Sequence, residues 1–343
     1  MMSSHAPDPA LTTDAAAVTA AFQQLNAALG HLTVSRLRFT LRLQAPLEGL
    51  PTYYGSMLRG GLGVYFRQLV CVQPHLEQCR DCTLLPHCAF PYVFETPLPP
   101  GLTNAPHLQE VSPYILAPIT PAGTLQADES LVFDLLLFGK AISYLPYFVI
   151  SYRQLGTKGG LGRRHVRFVL DEVTDETPGY IPQTLYAQAS GSINLQPHAA
   201  PLNTLLPVLP ATAASVRLLI QTPLRLKVQS KITQTPTFQD LWTALLRRLA
   251  QLVLVHGTGQ WHVDEPPLVT AAAAVQTTNS KLRAEQWERF SQRQQQTIQM
   301  GGVVGEITFG DDLQPFLPLL WAGQYLHLGR GATFGNGQYW VRL

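Results

Sequence analysis

Apolar residues recur along the chain at two spacings. Val18, Phe22, Leu25 and Leu29 fall four, three and four apart, with Asp14 in a capping position and Gly30 behind them. That spacing predicts a short helix after a loose polar tail, residues 1–13, which carries Pro7 and Pro9. LRFTLRL at 37–43 alternates apolar and polar, the mark of a half-buried strand. Leu58, Leu62, Tyr65, Phe66 and Leu69 return to helical spacing. Residues 131–138 read as a buried apolar segment and 165–173 as a strand, with the basic, glycine-rich turn KGGLGRR (158–164) between them.

Pro197, Pro201, Pro207 and Pro210 then fall within fourteen residues, which marks a linker at 196–212. Beyond it the pattern predicts a strand at 215–229, a helix at 238–256 stopped by Gly257, and a strand at 303–309. A short helix at 313–323, despite Pro315 and Pro318, and a last strand at 338–343 follow. With one further strand between 260 and 286, the order is β-α-β-β-α-β, a ferredoxin-like unit. The first half reads less clearly as a second copy, with residues 56–69 as its first helix.

Composition narrows the class. The 343 residues are 46% hydrophobic and 13% charged, which suits two domains with real cores and excludes wholesale disorder. Apolar runs stop short of membrane-spanning length and the N-terminus lacks a basic, then apolar leader, so a soluble cytoplasmic protein is expected. Net charge is only +2, but its distribution is uneven. Residues 135–170 hold no acid, yet contain Lys140, Arg153, Lys158, Arg163, Arg164 and Arg167. Residues 177–239 are also acid-free and hold Arg217, Arg225, Lys227 and Lys231. Such stretches fit a polyanion partner, although solvated faces also produce them.

The segment HLGRGATFGNGQYWVRL (327–343) gathers Gly329, Gly331, Gly335 and Gly337 around Arg330 and Asn336. A dinucleotide fingerprint needs a long helix and a later acid, and only six residues follow Gly337. Two readings remain: backbone N–H groups and Arg330 cradling a phosphate, or a wide turn with glycines at positive φ. His327 opens the loop, either as a proton carrier or as a polar strand-end residue. His256 stands before Gly257, where an imidazolium would complement a helix dipole.

All four cysteines, Cys71, Cys79, Cys82 and Cys88, lie within eighteen residues at a spacing of C-x7-C-x2-C-x5-C. Four thiolates suit a structural zinc, with His75 or His87 able to replace one; an iron–sulfur cluster uses the same ligands. Four unrelated thiols are the alternative. Tyr53, Tyr54, Tyr144, Tyr147, Phe148 and Tyr152 could stack bases from a sheet, but core packing accounts for most of them.

Together these stretches give the chain a resemblance to the CRISPR repeat-RNA processing endoribonucleases of the RAMP superfamily. AGQYLHLGRGATFGNGQYWV (322–341) is similar to that family's glycine-rich loop, and RFSQRQQQTIQMGGVVGEITF (289–309) to its block just upstream. TPLRLK (222–227) and the leucine-rich helix fit its second-domain start, and the cysteines followed by FPYVFETP (90–97) look like one of its subgroups. About half of the chain is covered, in order.

The resemblance implies an α+β protein of two tandem ferredoxin-like (RRM-like) βαββαβ domains. On that reading residues 1–30 are tail and helix, and 31–195 the first domain with a cysteine-rich metal-binding insertion at 71–92. Residues 196–212 are the linker, and 213–343 the second domain with its loop at 327–337. It implies a prokaryotic cytoplasmic enzyme that binds repeat-RNA hairpins and other CRISPR effector subunits. Cleavage would be metal-independent: the 2′-hydroxyl attacks its own phosphodiester, leaving a 2′,3′-cyclic phosphate. RNA contacts are expected at Gly329, Arg330, Gly331, Gly335, Asn336, Gly337, Lys158, Arg163, Arg164, Arg289 and Arg293. One departure stands out. Many members place a histidine at the first helix, and no histidine occurs here between His31 and His75. The chemistry is therefore assigned to His327 with Tyr53 or Tyr54, assisted by Arg59 and Lys231. A guide-holding subunit that does not cut is the alternative, and a metal-binding structural protein whose glycine loop is only a turn is a third.

Overall fold

Strand β1 (Thr33–Leu43) turns Leu37, Phe39, Leu41 and Leu43 into one core and pairs along both edges. The computed structural model describes residues 15–76, 78–96, 111–291 and 296–343. Helix α1 (Ala15–Leu29) precedes β1, and β2 (Leu47–Leu50) and α2 (Gly55–Val70) follow it. Short helix α3 (Ala89–Phe94) comes next, then β3 (Tyr114–Pro118), β4 (Gly123–Leu125) and β5 (Ser130–Phe138). Helix α4 (Leu145–Gln154) and strands β6 (Phe168–Asp175), β7 (Gln183–Ala187), β8 (Ser192–Ile193) and β9 (Ala200–Pro201) complete the first unit. Its antiparallel sheet runs β3-β5-β1-β6-β7-β8, and β9 pairs with β1. β5 is buried on both faces, since Leu131, Phe133, Leu135 and Leu137 pack under α2 and α4 while Leu136 and Phe138 join the other core. This double burial is why its sequence is apolar throughout except for Ser130 and Asp134.

The second unit opens with β10 (Ser215–Leu224), whose Val216, Leu218 and Ile220 face inward. A small hairpin, β11 (Lys227–Val228) and β12 (Lys231–Ile232), leads to α5 (Phe238–His256). Thr237 and Asp240 cap α5 reciprocally, and Gly257 ends it. Helix α6 (Glu265–Ala274), β13 (Gln276–Ser291), β14 (Gln296–Gly310), α7 (Leu317–Leu326) and β15 (Tyr339–Arg342) follow. The strand expected between 260 and 286 is β13, and it runs on into a long hairpin with β14. This sheet is also antiparallel, in the order β13-β14-β10-β15. Leaving out the short β2, β4 and β7 to β9, both sheets carry their strands in the order second, third, first, fourth.

Two segments differ from their expected isolation. α1 packs its Phe22 ring against Trp242 and Phe316 of the second unit. The proline-rich segment 196–212 is not a free tether, because Ala200 and Pro201 pair with β1 and Leu202 and Leu205 are buried. The tail 1–13 and Asp14 lie outside the described residues. Among the described residues no helix is long and apolar enough to cross a membrane.

Candidate nucleic-acid interface

The four loop glycines all adopt left-handed backbone, with φ of 83° at Gly329, 82° at Gly331, 83° at Gly335 and 72° at Gly337. Side chains resist that conformation, so the local fold requires glycine at each. The loop is stitched to the second unit: Arg330 N–H donates to the Arg225 carbonyl at 2.9 Å, Gly337 N–H to Pro223 at 3.1 Å and Leu328 N–H to Gly337 at 2.9 Å. Phe334 and Gly335 donate to Gly331 and Ala332 within the loop. Most of the expected cradle of free N–H groups is therefore consumed internally. Gly335, Asn336 and Gly337 are buried, against their expected place at RNA, and Gly329 and Gly331 are half-buried. The Arg330 side chain is exposed.

The loop also wedges against the first unit. A Cβ on Gly55 would lie 2.1 Å from the Phe334 carbonyl oxygen, and one on Gly335 would lie 2.7 Å from the Leu116 carbonyl. The start of α2 thus meets the loop backbone to backbone. Arg59, one turn along, places its guanidinium over Phe334 at 5.9 Å and over Phe94 at 5.5 Å. Tyr53, just before α2, is half-buried against Trp287 of the β13–β14 hairpin, ring centres 5.1 Å apart. Burial and the Glu285 carboxylate raise the Tyr53 pKa, while Arg283 opposes them. Arg225 ties the same hairpin down by donating to the Gly301 carbonyl at 2.7 Å. Lys231, on the β11–β12 hairpin just beyond Arg225, is exposed. The seam thus brings Arg59 and the start of α2 to the loop, with Tyr53 held beside the β13–β14 hairpin; the loop carries the exposed Arg330 and the separate β11–β12 hairpin the exposed Lys231.

Two residues expected to act in catalysis are placed otherwise. His327 is 1% exposed, and its Nδ1 sits 3.2 Å from the Asn336 carbonyl, which can only accept. Burial, with Arg248 in the same direction, pushes its pKa down to about 3, so it is a neutral brace beneath the loop. Tyr54 is fully buried; its hydroxyl donates to Val132 at 3.0 Å and accepts from Ile119 and Thr120 N–H groups. Burial raises its pKa to about 12. His256 is also neutral rather than an imidazolium on a dipole. Its Nε2 donates to the Val111 carbonyl at 2.6 Å and its Nδ1 accepts from Tyr92 at 3.0 Å, both in the first unit. Burial lowers its pKa to about 4.

Lys158, Arg163 and Arg164 are exposed on a turn packed against α2, with Gly159 touching Tyr65. Arg164 pairs with Glu48 at 2.7 Å. Arg293 and the side chain of Arg289 lie outside the described residues. Phe148 and Tyr152 are core residues, as expected of most aromatics. Sequence reasoning missed Trp287, Arg225 and Phe334, whose roles depend on the hairpin and loop meeting the first unit.

Cys71, Cys79, Cys82 and Cys88 line one cavity of 270 Å³ beside Arg67 and His87. All four are free thiols, and the Cys82 thiol donates to Gln73 at 3.4 Å. Burial and the nearby Glu95 push the Cys79 thiol up to about 11. Among the described residues no three His, Cys, Asp or Glu side chains converge closely enough to hold one metal ion. As placed, the donor types suit zinc and their geometry does not.

Residues 218–339 match the model of the CRISPR-associated endoribonuclease Cas6 family. Residues 32–198 match a family model described only as an N-terminal domain. An uncharacterized protein of Archaeoglobus fulgidus is 24% identical over 163 residues, 46% of this chain and 53% of its own; the chain thus spans about half the length of this curated relative. Among solved structures, a product complex of Thermus thermophilus Cas6 superposes with a TM-score of 0.52 at 13% identity, covering 90% of this chain and 99% of that one. A partial Cas6-RT-Cas1–Cas2 complex gives 0.50 at 13% identity, covering 91% of this chain and 46% of that one. At such identities the structural likeness is one of fold.

Proposed function

We propose that the chain is a Cas6-type CRISPR-processing protein, on the match of residues 218–339 to that family model, and that it cuts precursor CRISPR RNA at the seam between its units and keeps the guide hairpin bound. The observation that carries this reading is the packing of the start of α2 against the glycine loop, with Arg59 over Phe334 and the exposed Arg330 on the same loop. The strand order common to both sheets supports two tandem ferredoxin-like units.

In the proposed reaction the 2′-oxygen forms a bond to the adjacent phosphorus and the bond to the 5′-oxygen breaks. The products are a 2′,3′-cyclic phosphate and a 5′-hydroxyl, and the step calls for no metal ion. The 2′-hydroxyl gives its proton to solvent water, a second proton must reach the 5′-oxygen, and the phosphorane needs cations. Tyr53 keeps its phenolic proton at neutral pH and is the donor proposed for the leaving oxygen, its raised pKa weakening it as an acid. Arg59, Arg330 and Lys231 are suited to the phosphorane charge. His327 enters only indirectly, by holding the loop.

Pure protein incubated with a labelled repeat hairpin in EDTA is expected to yield cyclic-phosphate ends. Tyr53→Phe should slow cleavage about a hundredfold while keeping affinity. Tight binding with no cleavage by wild type would support the second reading, a guide-holding subunit. The burial of His327 and the absence of a histidine between His31 and His75 favour that second reading.

We also propose that the cysteine cavity closes around a structural zinc, supported by four thiols on one small cavity. Metal analysis of protein purified without chelator should find one zinc per chain, lost with stability in Cys82→Ser. Less than a tenth of an equivalent of zinc, or iron in its place, would overturn it.

A further inference from the structure

β15 lies at the edge of the second sheet and sends Tyr339 and Val341 into the core, so Trp340 and Arg342 share the opposite face. In the register with β10, Arg342 stands directly across from Arg217, and Trp340 across from Leu219. Opposed like charges repel in a sheet. Arg217 reaches only as near as 3.8 Å to Glu306, and Arg342 donates to the Val341 carbonyl at 3.3 Å. A cavity of 560 Å³ opens beside Arg342, into which α7 turns Trp321 and Tyr325. Arg342 is the one charged residue in its described lining, with no carboxylate. The indole N–H of Trp321 is buried with no hydrogen-bond partner. Pro178 and Gly179 of the same lining lead straight to Tyr180, which is 42% exposed and stacks on the His198 ring at 4.1 Å. None of residues 327–337 lines this cavity.

Half-exposed rings beside the exposed Arg342 match the needs of a single-stranded nucleic acid: flat apolar faces for bases and a cation for the phosphate between them. An uncharged apolar ligand would leave Arg342 unanswered, and a polyanion without bases would leave the rings bare. We propose that this cleft is a second RNA subsite, separate from the seam, that takes unpaired nucleotides flanking the bound hairpin. Trp340, Trp321 and Tyr325 provide the stacking faces, and Arg342 meets a phosphate. The inference rests on the RNA-binding reading above.

The test compares two labelled RNAs on the full chain by fluorescence anisotropy: the repeat hairpin alone, and the same hairpin with about eight unpaired uridines on each side. Wild type should bind the flanked RNA more tightly. Trp340→Ala should weaken binding of the flanked RNA roughly tenfold and leave the hairpin alone unchanged, and Trp340→Phe should restore most of the loss. Arg342→Gln, at an exposed position, should lower both affinity for the flanked RNA and its salt slope, by about one counterion. It carries the test if the tryptophan variant does not fold. Equal affinity of wild type for the two RNAs, or unchanged binding of the flanked RNA by both Trp340→Ala and Arg342→Gln, would overturn the subsite and leave the seam intact. Failure of wild type to bind either RNA would overturn both readings together.

Discussion

The arginines of β1 and those around the glycine loop carry the same charge into opposite surroundings. On β1, Arg36 and Arg38 converge on the buried Asp134 at 2.6 and 3.1 Å, and Arg38 also reaches Glu176 at 3.6 Å. Arg42 pairs with Asp171 at 2.9 Å and Asp128 at 3.4 Å. Every one of these acids comes from a neighbouring strand, its end or the turn leading into it. Arg330 on the loop and Lys231 on the β11–β12 hairpin are exposed and enter no ion pair among the described residues. A cation answered within the fold is structural, whereas one left open is available to a partner. The difference divides the molecule into a region that holds itself together and a region that can bind.

The hardest way to break that division is to remove Asp134, whose side chain is 5% exposed. Asp134→Ala should leave two arginines facing each other and cost about 2–4 kcal/mol, less than a fully buried pair because the arginines are partly solvated. Urea unfolding of the variant checks this, and a loss under about 0.5 kcal/mol would mean the β1 arginines are not held as argued. Glu306→Ala in the second sheet, whose partners Arg217 and Lys281 are exposed, should cost well under about 1 kcal/mol.

The next effect is on pH. His256 ties the end of α5 to Tyr92 and Val111 of the first unit, with Arg248 adding to the pressure against its protonation. Its folded pKa of about 4 lies below the ordinary value of 6.5, so the unfolded chain takes up the proton first as pH falls. Its contribution is thus complete above about pH 6.5 and is lost as pH falls towards 4. Between pH 7 and 5 this one histidine should cost about 2 kcal/mol. His327, lowered to about 3, acts in the same direction. His256→Gln should therefore flatten the slope of stability against pH by roughly half across that window; an unaltered slope would assign it to other groups.

The same contrast explains what could be read from the chain in advance. α5, β1 and the loop glycines were legible because each follows from local rules: apolar period, alternation and backbone freedom. The acid-free run 135–170 misled in part. Lys140 sits over the Tyr92 and Tyr144 rings, Arg153 over Tyr186, and Arg164 pairs with Glu48 from far back in the chain. Charge along a sequence is not charge in space. For the same reason His327 looked available: nothing in its neighbours foretells that Asn336 folds back over it. Tyr53 could be singled out, but its partner Trp287 is more than two hundred residues away and is brought to it by the long hairpin.

The finest test of the division is a pair of arginine variants read by salt. Each phosphate contact releases about one counterion, so affinity falls with salt at a slope set by the number of such contacts. Arg330→Ala should weaken repeat-hairpin binding about tenfold and reduce that slope by about one. Arg38→Ala removes the same charge from a residue already neutralised by Asp134 and Glu176. It should lower stability while leaving RNA affinity and slope as they were. If both variants weakened binding equally, the field of the whole protein rather than the open loop would be drawing the RNA in. If Arg330→Ala alone did so, the loop contacts phosphate through its one exposed side chain, with the glycines serving to put that side chain there.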